Sequence, residues 1–298
     1  MSASSAASAA STTLRQSVAA RGALPRPIAR FLRHRPAVLA SGIILVYAIA
    51  ALLAPAAAHY DPLDMSAGPR LYPPNVVHWF GTDEFGRDIL SRILFGARIA
   101  FTVGISAAFV ALICGSTLGI SGGYFGGLAD RLVSMVIDLV FAFPTILLAI
   151  ALAVFLSPKM ETVILAIAFV QSPHFARVVR GATLAVKEQQ YVEAARVVGA
   201  RDLRVLRLHI LPNVTAPLIV QFSLSFSYAV LAESSLSFLG VGNPPPAPSW
   251  GAMLTGAYGY IEQAPWASIF PGMAITLLIL GFNVMGDGLR DLLDPAMR

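Results

Sequence analysis

Six apolar runs, each 18 to 25 residues long, constrain the fold of this 298-residue chain more than any other feature. An α-helix rises about 1.5 Å per residue, so runs of this length cross a hydrocarbon layer roughly 30 Å thick. Inside hydrocarbon the backbone must satisfy its own hydrogen bonds, and continuous apolar runs do so as helices. The sequence therefore predicts an all-α integral membrane protein with six transmembrane helices. The runs are Ala37–Ala58, Ile99–Ile120, Leu132–Leu156, Thr162–Val179, Ala216–Leu239 and Ala267–Gly286.

Composition and charge agree with a membrane protein. Hydrophobic residues make up 56% of the chain and charged residues only 12%, whereas about a quarter of an ordinary soluble domain is charged. The net charge of +5 is spread over several loops, so it does not indicate a nucleic-acid partner. Of the 21 lysines and arginines, 16 fall on the side of the predicted bundle that carries both termini and five on the other. Because positive charge stays inside, both termini are predicted to be cytoplasmic.

The apolar runs divide the chain into three parts. Residues 1–36 are rich in serine and alanine and then basic, which predicts a partly disordered cytoplasmic tail. Residues 37–98 hold the first transmembrane helix and an extracytoplasmic loop that ends in an amphipathic lead-in helix, with Thr82 or Asp83 as its candidate N-cap. Residues 99–298 form a five-helix core, interrupted by a loop at 181–213.

That loop contains a charged, helix-prone segment, Tyr191–Asn213, which cannot lie in hydrocarbon because each charge there would be costly. We expect two short helices. The first ends near Gly199, which tolerates the left-handed conformation that closes a helix. The second begins at Arg201 and is stopped by Pro212. Its apolar stripe is predicted from residues spaced by three and four, namely Leu203, Leu206 and Ile210.

The same segment resembles the coupling-loop signature in the membrane subunits of binding-protein-dependent ABC importers. The residues that carry the resemblance are Glu193, Ala194, Ala195, Gly199, Leu211 and Pro212. One departure is His209, which stands where the usual pattern has isoleucine. Residues 81–98 and 286–295 are similar to segments of the dipeptide, oligopeptide and nickel branch of that family, so the resemblance covers nearly all of residues 37–298.

The resemblance implies an ABC type I importer permease fold, with coupling helices between spans 4 and 5. It also implies that the loop docks on an ATP-hydrolysing subunit. The residues expected at this contact are Glu193, Ala194, Ala195, Gly199, Leu203, Leu206, Ile210, Leu211 and Pro212.

Function and partners follow from the same resemblance. The chain would form half of a translocation pore for dipeptides or oligopeptides in a bacterial-type cytoplasmic membrane. Its expected partners are a homologous second permease, two ATP-binding subunits and an extracytoplasmic substrate-binding protein. Nickel chelates or other small solutes could use the same architecture, and the sequence does not choose among these substrates.

Three residues within the apolar runs are candidates for the translocation path or for gating. Asp138 and Glu233 are acidic residues expected to be buried in spans, where a carboxylate is a functional candidate. Asp138 is expected to pair with an arginine such as Arg131, and Glu233 to hydrogen-bond adjacent serines or to face the path. Pro144 is predicted to kink the third span.

Two other functional classes remain open at this stage. In the first, the chain is an ion-coupled secondary transporter that uses Asp138 and Glu233 as its coupling carboxylates. In the second, it is a scaffold or sensor subunit without transport activity. The first class predicts transport that depends on these acids and not on ATP.

Enzymatic motifs are missing from the sequence. Neither lysine, at positions 159 and 187, follows a glycine, so there is no phosphate-binding Gly-Lys loop. The five histidines show no zinc-ligand spacing, and no Gly-x-Ser-x-Gly elbow occurs. We therefore expect no catalytic residue, no metal site and no cofactor in this chain, with ATP and Mg²⁺ bound by partner subunits.

Overall fold

The computed structural model of the protein describes residue 31 and residues 34–157, 159–244 and 246–293. These residues form ten α-helices and one π-turn, with no β-strand among them. The helices are α1 (Arg35–Ala57), α2 (Ile89–Phe125), α3 (Gly127–Phe141), α4 (Thr145–Phe155), α5 (Met160–Lys187), α6 (Gln190–Val197), α7 (Asp202–Val205), α8 (Leu211–Phe238), α9 (Trp250–Tyr258) and α10 (Trp266–Leu293), and the π-turn is Leu206–Ile210. Most of the predicted tail, residues 1–36, lies outside the described residues.

The transmembrane helices correspond to the six apolar runs. Helices α1, α2, α5 and α10 are each long and apolar enough to cross a membrane, as is the continuous rod that α7, the π-turn and α8 form from Asp202 to Phe238. Helices α3 and α4 meet the same criteria of length and apolarity when taken as one pair, which is bent by 89° at the break between them. The prediction of an all-α protein with six spans is therefore confirmed, with the third span broken.

Pro144 lies at this break. Helix α3 ends at Phe141, and Pro144 adopts an extended ψ of 121° immediately before α4 begins at Thr145. Proline lacks a backbone donor, and its ring clashes with the preceding turn, so the helix cannot continue straight through it. The predicted kink is thus present as a sharp corner, and Ala149 and Ala153 of α4 are buried beyond it.

The lead-in segment is not a separate helix. Residues 89–98 form the first turns of α2, which runs unbroken to Phe125. Its N-cap is Asp88, whose Oδ2 accepts a hydrogen bond from the Ser91 amide at 2.8 Å. The prediction of Thr82 or Asp83 as the cap is therefore wrong. Both side chains are held within the preceding turn, where Asp83 pairs with the Arg87 guanidinium at 2.6 Å.

The packing of α2 against α5 forms the centre of the bundle. Three glycines spaced by four residues, Gly115, Gly119 and Gly123, line the side of α2 that faces α5. A Cβ at Gly119 would lie 2.5 Å from the Ala176 carbonyl oxygen, and one at Gly123 would lie 2.9 Å from the Thr183 Cβ. Small residues at this spacing let two helix backbones approach closely in a membrane. Helices α2 and α5 therefore form a tightly packed pair.

The first and last spans meet at one end of the bundle, here called the coupling-loop end because it carries residues 188–213. His34, next to α1, lies 3.6 Å from Asp291 near the end of α10. Arg290 of α10 and Asn213 of α8 line one cavity of about 540 Å³. Both ends of the described chain therefore lie at the same end of the bundle, as an even number of membrane crossings requires.

The opposite end of the bundle carries a compact loop, residues 58–88. Within it His78 and Asp88, both buried, approach to 3.0 Å between Nδ1 and Oδ1. Burial raises the pKa of the Glu84 carboxyl above its ordinary value. Trp266 at the start of α10 donates its indole N–H to the Thr82 carbonyl oxygen at 3.4 Å. Polar contacts thus join this loop to the last span.

Candidate coupling loop

The first arm of the loop is α6, and it ends as the sequence predicts. Gly199 has a φ of +83°, the left-handed conformation that glycine adopts without strain. Its amide donates to the Arg196 carbonyl oxygen at 2.9 Å, and the Ala200 amide donates to the Ala195 carbonyl oxygen at 3.0 Å. This pair of bonds is the Schellman pattern that closes a helix. Gly199 lies in open space, since a Cβ added there would have no atom within 4 Å.

The second arm does not stop at Pro212. The chain passes from α7 through the π-turn directly into α8, with Pro212 in the first turn of that helix. Proline is tolerated there because it directly follows the π-turn, where the backbone departs from the regular α-helical spacing that the proline ring would block. The Leu211 amide bonds to the Leu206 carbonyl oxygen, which is the wider spacing of a π-turn. The prediction that Pro212 ends the helix is therefore wrong.

The apolar residues of the loop divide into an anchored set and an exposed set. Val192, Val205 and Ile210 are fully buried, and Leu206 packs beside them in the core that includes residues of α5. Val197, Val198 and Leu203 are instead 82%, 84% and 66% exposed. The prediction that Leu203 shares one apolar stripe with Leu206 and Ile210 is wrong. Leu206 and Ile210 lie on the side of the rod that packs against the bundle, whereas Leu203 lies near the Gly199 turn and is exposed.

The outward surface of the loop therefore combines apolar and charged side chains. It surrounds the Gly199 turn and is formed by Glu193, Ala194, Arg196, Val197, Val198, Arg201, Leu203 and Arg204, all of them exposed in this chain. Ala195 is half-buried, and Leu211 and Pro212 are exposed farther along the rod. Exposed valines and a leucine at a loop tip suit burial against another protein.

Polar contacts fix the loop to the bundle through Tyr124, the penultimate residue of α2. Its hydroxyl donates to Asp202 Oδ1 at 2.6 Å, and the Arg196 guanidinium lies 5.1 Å from its ring centre. Lys187 Nζ donates to the Tyr124 carbonyl oxygen at 2.6 Å. Sequence reasoning missed Tyr124, which lies 78 residues from Asp202 and belongs to no recognisable motif.

Asp138 does not occupy a buried position. Its carboxylate lies 3.6 Å from Arg177, not Arg131, and the two side chains are 73% and 62% exposed. Ile137 and Val140 are the buried residues of this part of α3, so Asp138 lies on a side of the helix that the rest of the chain leaves open. The expected pairing with an arginine is present, but the expected burial is not.

Glu233 is buried within the chain, at 2% exposure. Ser237 donates its hydroxyl to the Glu233 carboxylate at 2.8 Å, one helical turn away on α8. A hydrogen bond from a serine is thus present, but its donor is Ser237 rather than the adjacent Ser234 or Ser235 that the sequence suggested. In this conformation Glu233 contacts protein rather than an open path, and a role for Glu233 or Pro144 in gating stays a prediction.

Comparison with known families assigns the chain. A family model described as "Binding-protein-dependent transport system inner membrane component" matches residues 112–298, which include the whole coupling loop. The chain belongs to this family. A second model, described as the N-terminal transmembrane domain of oligopeptide transport permease C, matches residues 28–74. The chain is therefore a transport permease component rather than a catalytic subunit, and the resemblance inferred from residues 193–212 is confirmed.

Curated relatives match most of this permease. The dipeptide transport system permease protein of Alkalihalophilus pseudofirmus is 43% identical over 89% of this chain and 88% of its own length. The glutathione transport system permease protein of Pectobacterium atrosepticum is 44% identical over 90% of both chains. A putative peptide transport system permease protein of Brucella abortus is 43% identical over 90% of both.

A solved structure supports the fold. It is a chain of the methionine ABC transporter in an inward-facing conformation, with a TM-score of 0.57. The match covers 68% of this permease and 96% of that chain, at 19% sequence identity. The predicted ABC importer permease fold is therefore confirmed at the level of architecture.

Proposed function

We propose that this permease forms half of the translocation pore of an ATP-driven importer for dipeptides or oligopeptides. The observation that carries the proposal is the loop between α5 and α8. It presents Val197, Val198 and Leu203 outward around the Gly199 turn, while Val205 and Ile210 hold it against the spans. A surface that is apolar at its tip and anchored at its base suits the transfer of force from a soluble partner to the membrane helices.

The partners follow from what the chain lacks and from its family. The sequence has no Gly-Lys phosphate loop, so ATP and Mg²⁺ would bind to two separate ATP-binding subunits. The exposed coupling-loop surface would dock into those subunits, one loop in each, with the second loop supplied by a homologous permease. An extracytoplasmic binding protein would deliver the substrate at the opposite end of the bundle.

The orientation in the membrane belongs to the same proposal. The coupling-loop end carries both ends of the described chain and the arginines of the loop. An excess of lysine and arginine favours the cytoplasmic side. Both termini and the coupling loop would then be cytoplasmic, where ATP is available.

Transport would follow from closure of the ATP-binding subunits. ATP binding draws the two docked loops together, and each loop moves the spans to which it is attached. The membrane halves then exchange an inward-facing opening for an outward-facing one, which accepts substrate from the binding protein. A permease needs no catalytic residue for this cycle, because the free energy of ATP enters through the partner.

A peptide substrate is proposed because the named relatives, at 43–44% identity, are permeases of dipeptide, peptide and glutathione transport systems. The ion-coupled alternative is not favoured. Its two carboxylates are already engaged, Asp138 with Arg177 at the surface and Glu233 with Ser237 in the interior.

Isolation of the tagged full-length permease from its native membrane in mild detergent tests the proposal. Mass spectrometry should identify a homologous permease and subunits that contain Gly-Lys-Ser/Thr. The isolated complex, reconstituted with its binding protein, should take up tritiated glycyl-leucine or tritiated glutathione only when ATP is enclosed with the ATP-binding subunits. Uptake by the permease alone, driven by an ion gradient without ATP, would contradict the proposal.

A further inference from the structure

We propose that Tyr124 is a positioning residue that transmits the movement of the coupling loop to α2. The inference rests on the proposed function, since it presupposes that the loop moves with an ATP-binding partner. It adds a specific route for that movement, because the loop is covalently continuous only with α5 on one side and α8 on the other.

Tyr124 contacts both arms of the loop. Its hydroxyl donates to Asp202, the first residue of α7, while its ring lies beneath the Arg196 guanidinium of α6. These two partners lie on either side of the Gly199 turn, so both arms of the loop contact Tyr124. A hydrogen bond to a carboxylate is stronger than one between neutral groups, and a cation over an aromatic face adds further attraction.

The attachment lies at a point where α2 is rigid. Tyr124 is only 3% exposed, and Lys187 at the end of α5 bonds to its backbone carbonyl oxygen. Below this contact the glycine-lined side of α2 packs directly on the α5 backbone. A displacement applied at Tyr124 therefore moves α2 and α5 together rather than bending the end of one helix.

Helix α2 extends the movement to the other end of the bundle. It has 37 residues and at about 1.5 Å per residue is long enough to pass through the entire hydrocarbon layer. Its first turn is capped by Asp88, which also contacts His78 in the compact loop at the opposite end. The Tyr124 contact thus connects the coupling loop with the region that faces an external binding protein.

A structural role and a transmitting role make different predictions for single-atom changes. Tyr124→Phe keeps the buried ring and the position beneath Arg196 but removes the hydroxyl that bonds to Asp202. Asp202→Asn keeps the size of an exposed side chain and removes its charge. If both changes act through one contact, their combination is no worse than the more damaging single change.

The experiment uses the complete transporter in proteoliposomes with its binding protein. The variants are Tyr124→Phe, Asp202→Asn and the double variant, with Tyr258→Phe, at an exposed tyrosine of α9, as the matched control. Uptake of tritiated glycyl-leucine and tritiated glutathione is measured per ATP hydrolysed, together with the stimulation of ATP hydrolysis by the binding protein.

We expect Tyr124→Phe to reduce uptake per ATP and binding-protein stimulation by about tenfold, the effect of losing one hydrogen bond to a charged group. Asp202→Asn should reduce both by a smaller factor, because its amide oxygen still accepts from the Tyr124 hydroxyl while the charge is gone. The double variant should show the same reduction as Tyr124→Phe, and Tyr258→Phe none. Assembly and thermal midpoint of the single variants should match the wild type.

Wild-type coupling in both single variants would overturn the inference, as would reductions that multiply in the double variant. Loss of assembly in Tyr124→Phe, with normal coupling in Asp202→Asn, would also overturn it. Failure of the wild-type complex to take up either peptide would count against the proposed substrate class instead, and the stimulation of ATP hydrolysis then decides the role of Tyr124 independently of substrate.

Discussion

Gly119 of α2 and Ala176 of α5 approach so closely that a Cβ on Gly119 would lie 2.5 Å from the Ala176 carbonyl oxygen. The neighbour is backbone, which cannot rotate away as a side chain can. Together with Gly115 and Gly123, this contact sets the distance between the two central helices. At these three positions of α2, any side chain larger than a hydrogen atom would push α2 and α5 apart.

Gly119→Ala is expected to destabilise the permease by about 1–3 kcal/mol, because overpacking forces α2 and α5 apart. Thermal unfolding in detergent, followed by loss of the monodisperse peak in size-exclusion chromatography, measures the effect. The matched control is Gly181→Ala on α5, where no atom lies within 4 Å of the added carbon. Equal midpoints for the two variants would contradict the close packing.

Gly199→Asp is expected to uncouple transport while the protein remains inserted in the membrane. The change places a charge beside the exposed Val197 and Val198 and a side chain at a φ of +83°. ATP-driven uptake should fall by about tenfold, equivalent to roughly 1.4 kcal/mol of lost docking. Gly199→Asn, of the same size without the charge, should retain more uptake. Normal ATP-driven uptake by Gly199→Asp would argue against the loop as the docking surface.

Asp130→Asn is expected to lower the thermal midpoint by about 2–4 °C, since a well-formed partly exposed ion pair contributes up to about 1 kcal/mol. Asp130 of α3 accepts two hydrogen bonds from Arg180 of α5, the second at 2.7 Å. The exposed Asp138–Arg177 pair supplies a control, and Asp138→Asn should leave the midpoint unchanged. An exchange of charges, Asp130→Arg with Arg180→Asp, should restore part of the loss. If Asp138→Asn proved the more damaging, the assignment of these pairs would be wrong.

Glu233→Gln is expected to preserve ATP-driven uptake, because the amide oxygen can still accept the hydrogen bond from Ser237. Glu233→Leu should be less stable, since it leaves the buried Ser237 hydroxyl without this partner, at a cost of about 1–3 kcal/mol. Uptake assays and thermal midpoints on the two variants measure these effects. Abolished transport in a stable Glu233→Gln protein would instead favour a carboxylate that carries protons.

Local signals in the sequence were sufficient for the spans and for the first arm of the coupling loop. Apolar length determined the six helices, and Gly199 marked a helix end because glycine alone adopts its backbone conformation without strain. The prediction at Pro212 failed because proline occurs both at the ends and at the beginnings of helices. The π-turn that precedes Pro212 lets the chain continue as a helix, and the sequence does not reveal this turn.

Tertiary contacts account for what the sequence did not reveal. Tyr124 meets Asp202 across 78 residues, and no spacing rule connects them. Asp138 was expected to be buried because it lies in an apolar run, yet the run faces outward on that side, where only lipid or another subunit could cover it. Asp88, rather than Thr82 or Asp83, is the N-cap of α2, since the Asp83 carboxylate is already paired with Arg87.

Photo-crosslinking from the tip of the coupling loop tests the central claim most directly. Benzoylphenylalanine would replace Val198, which is 84% exposed beside the Gly199 turn, or Val76, which is 92% exposed in the compact loop at the opposite end. In native membranes, position 198 should crosslink to a protein that contains a Gly-Lys-Ser/Thr loop, and position 76 should not. Crosslinking of that ATP-binding protein from position 76, or its absence from the adducts of position 198, would contradict the account.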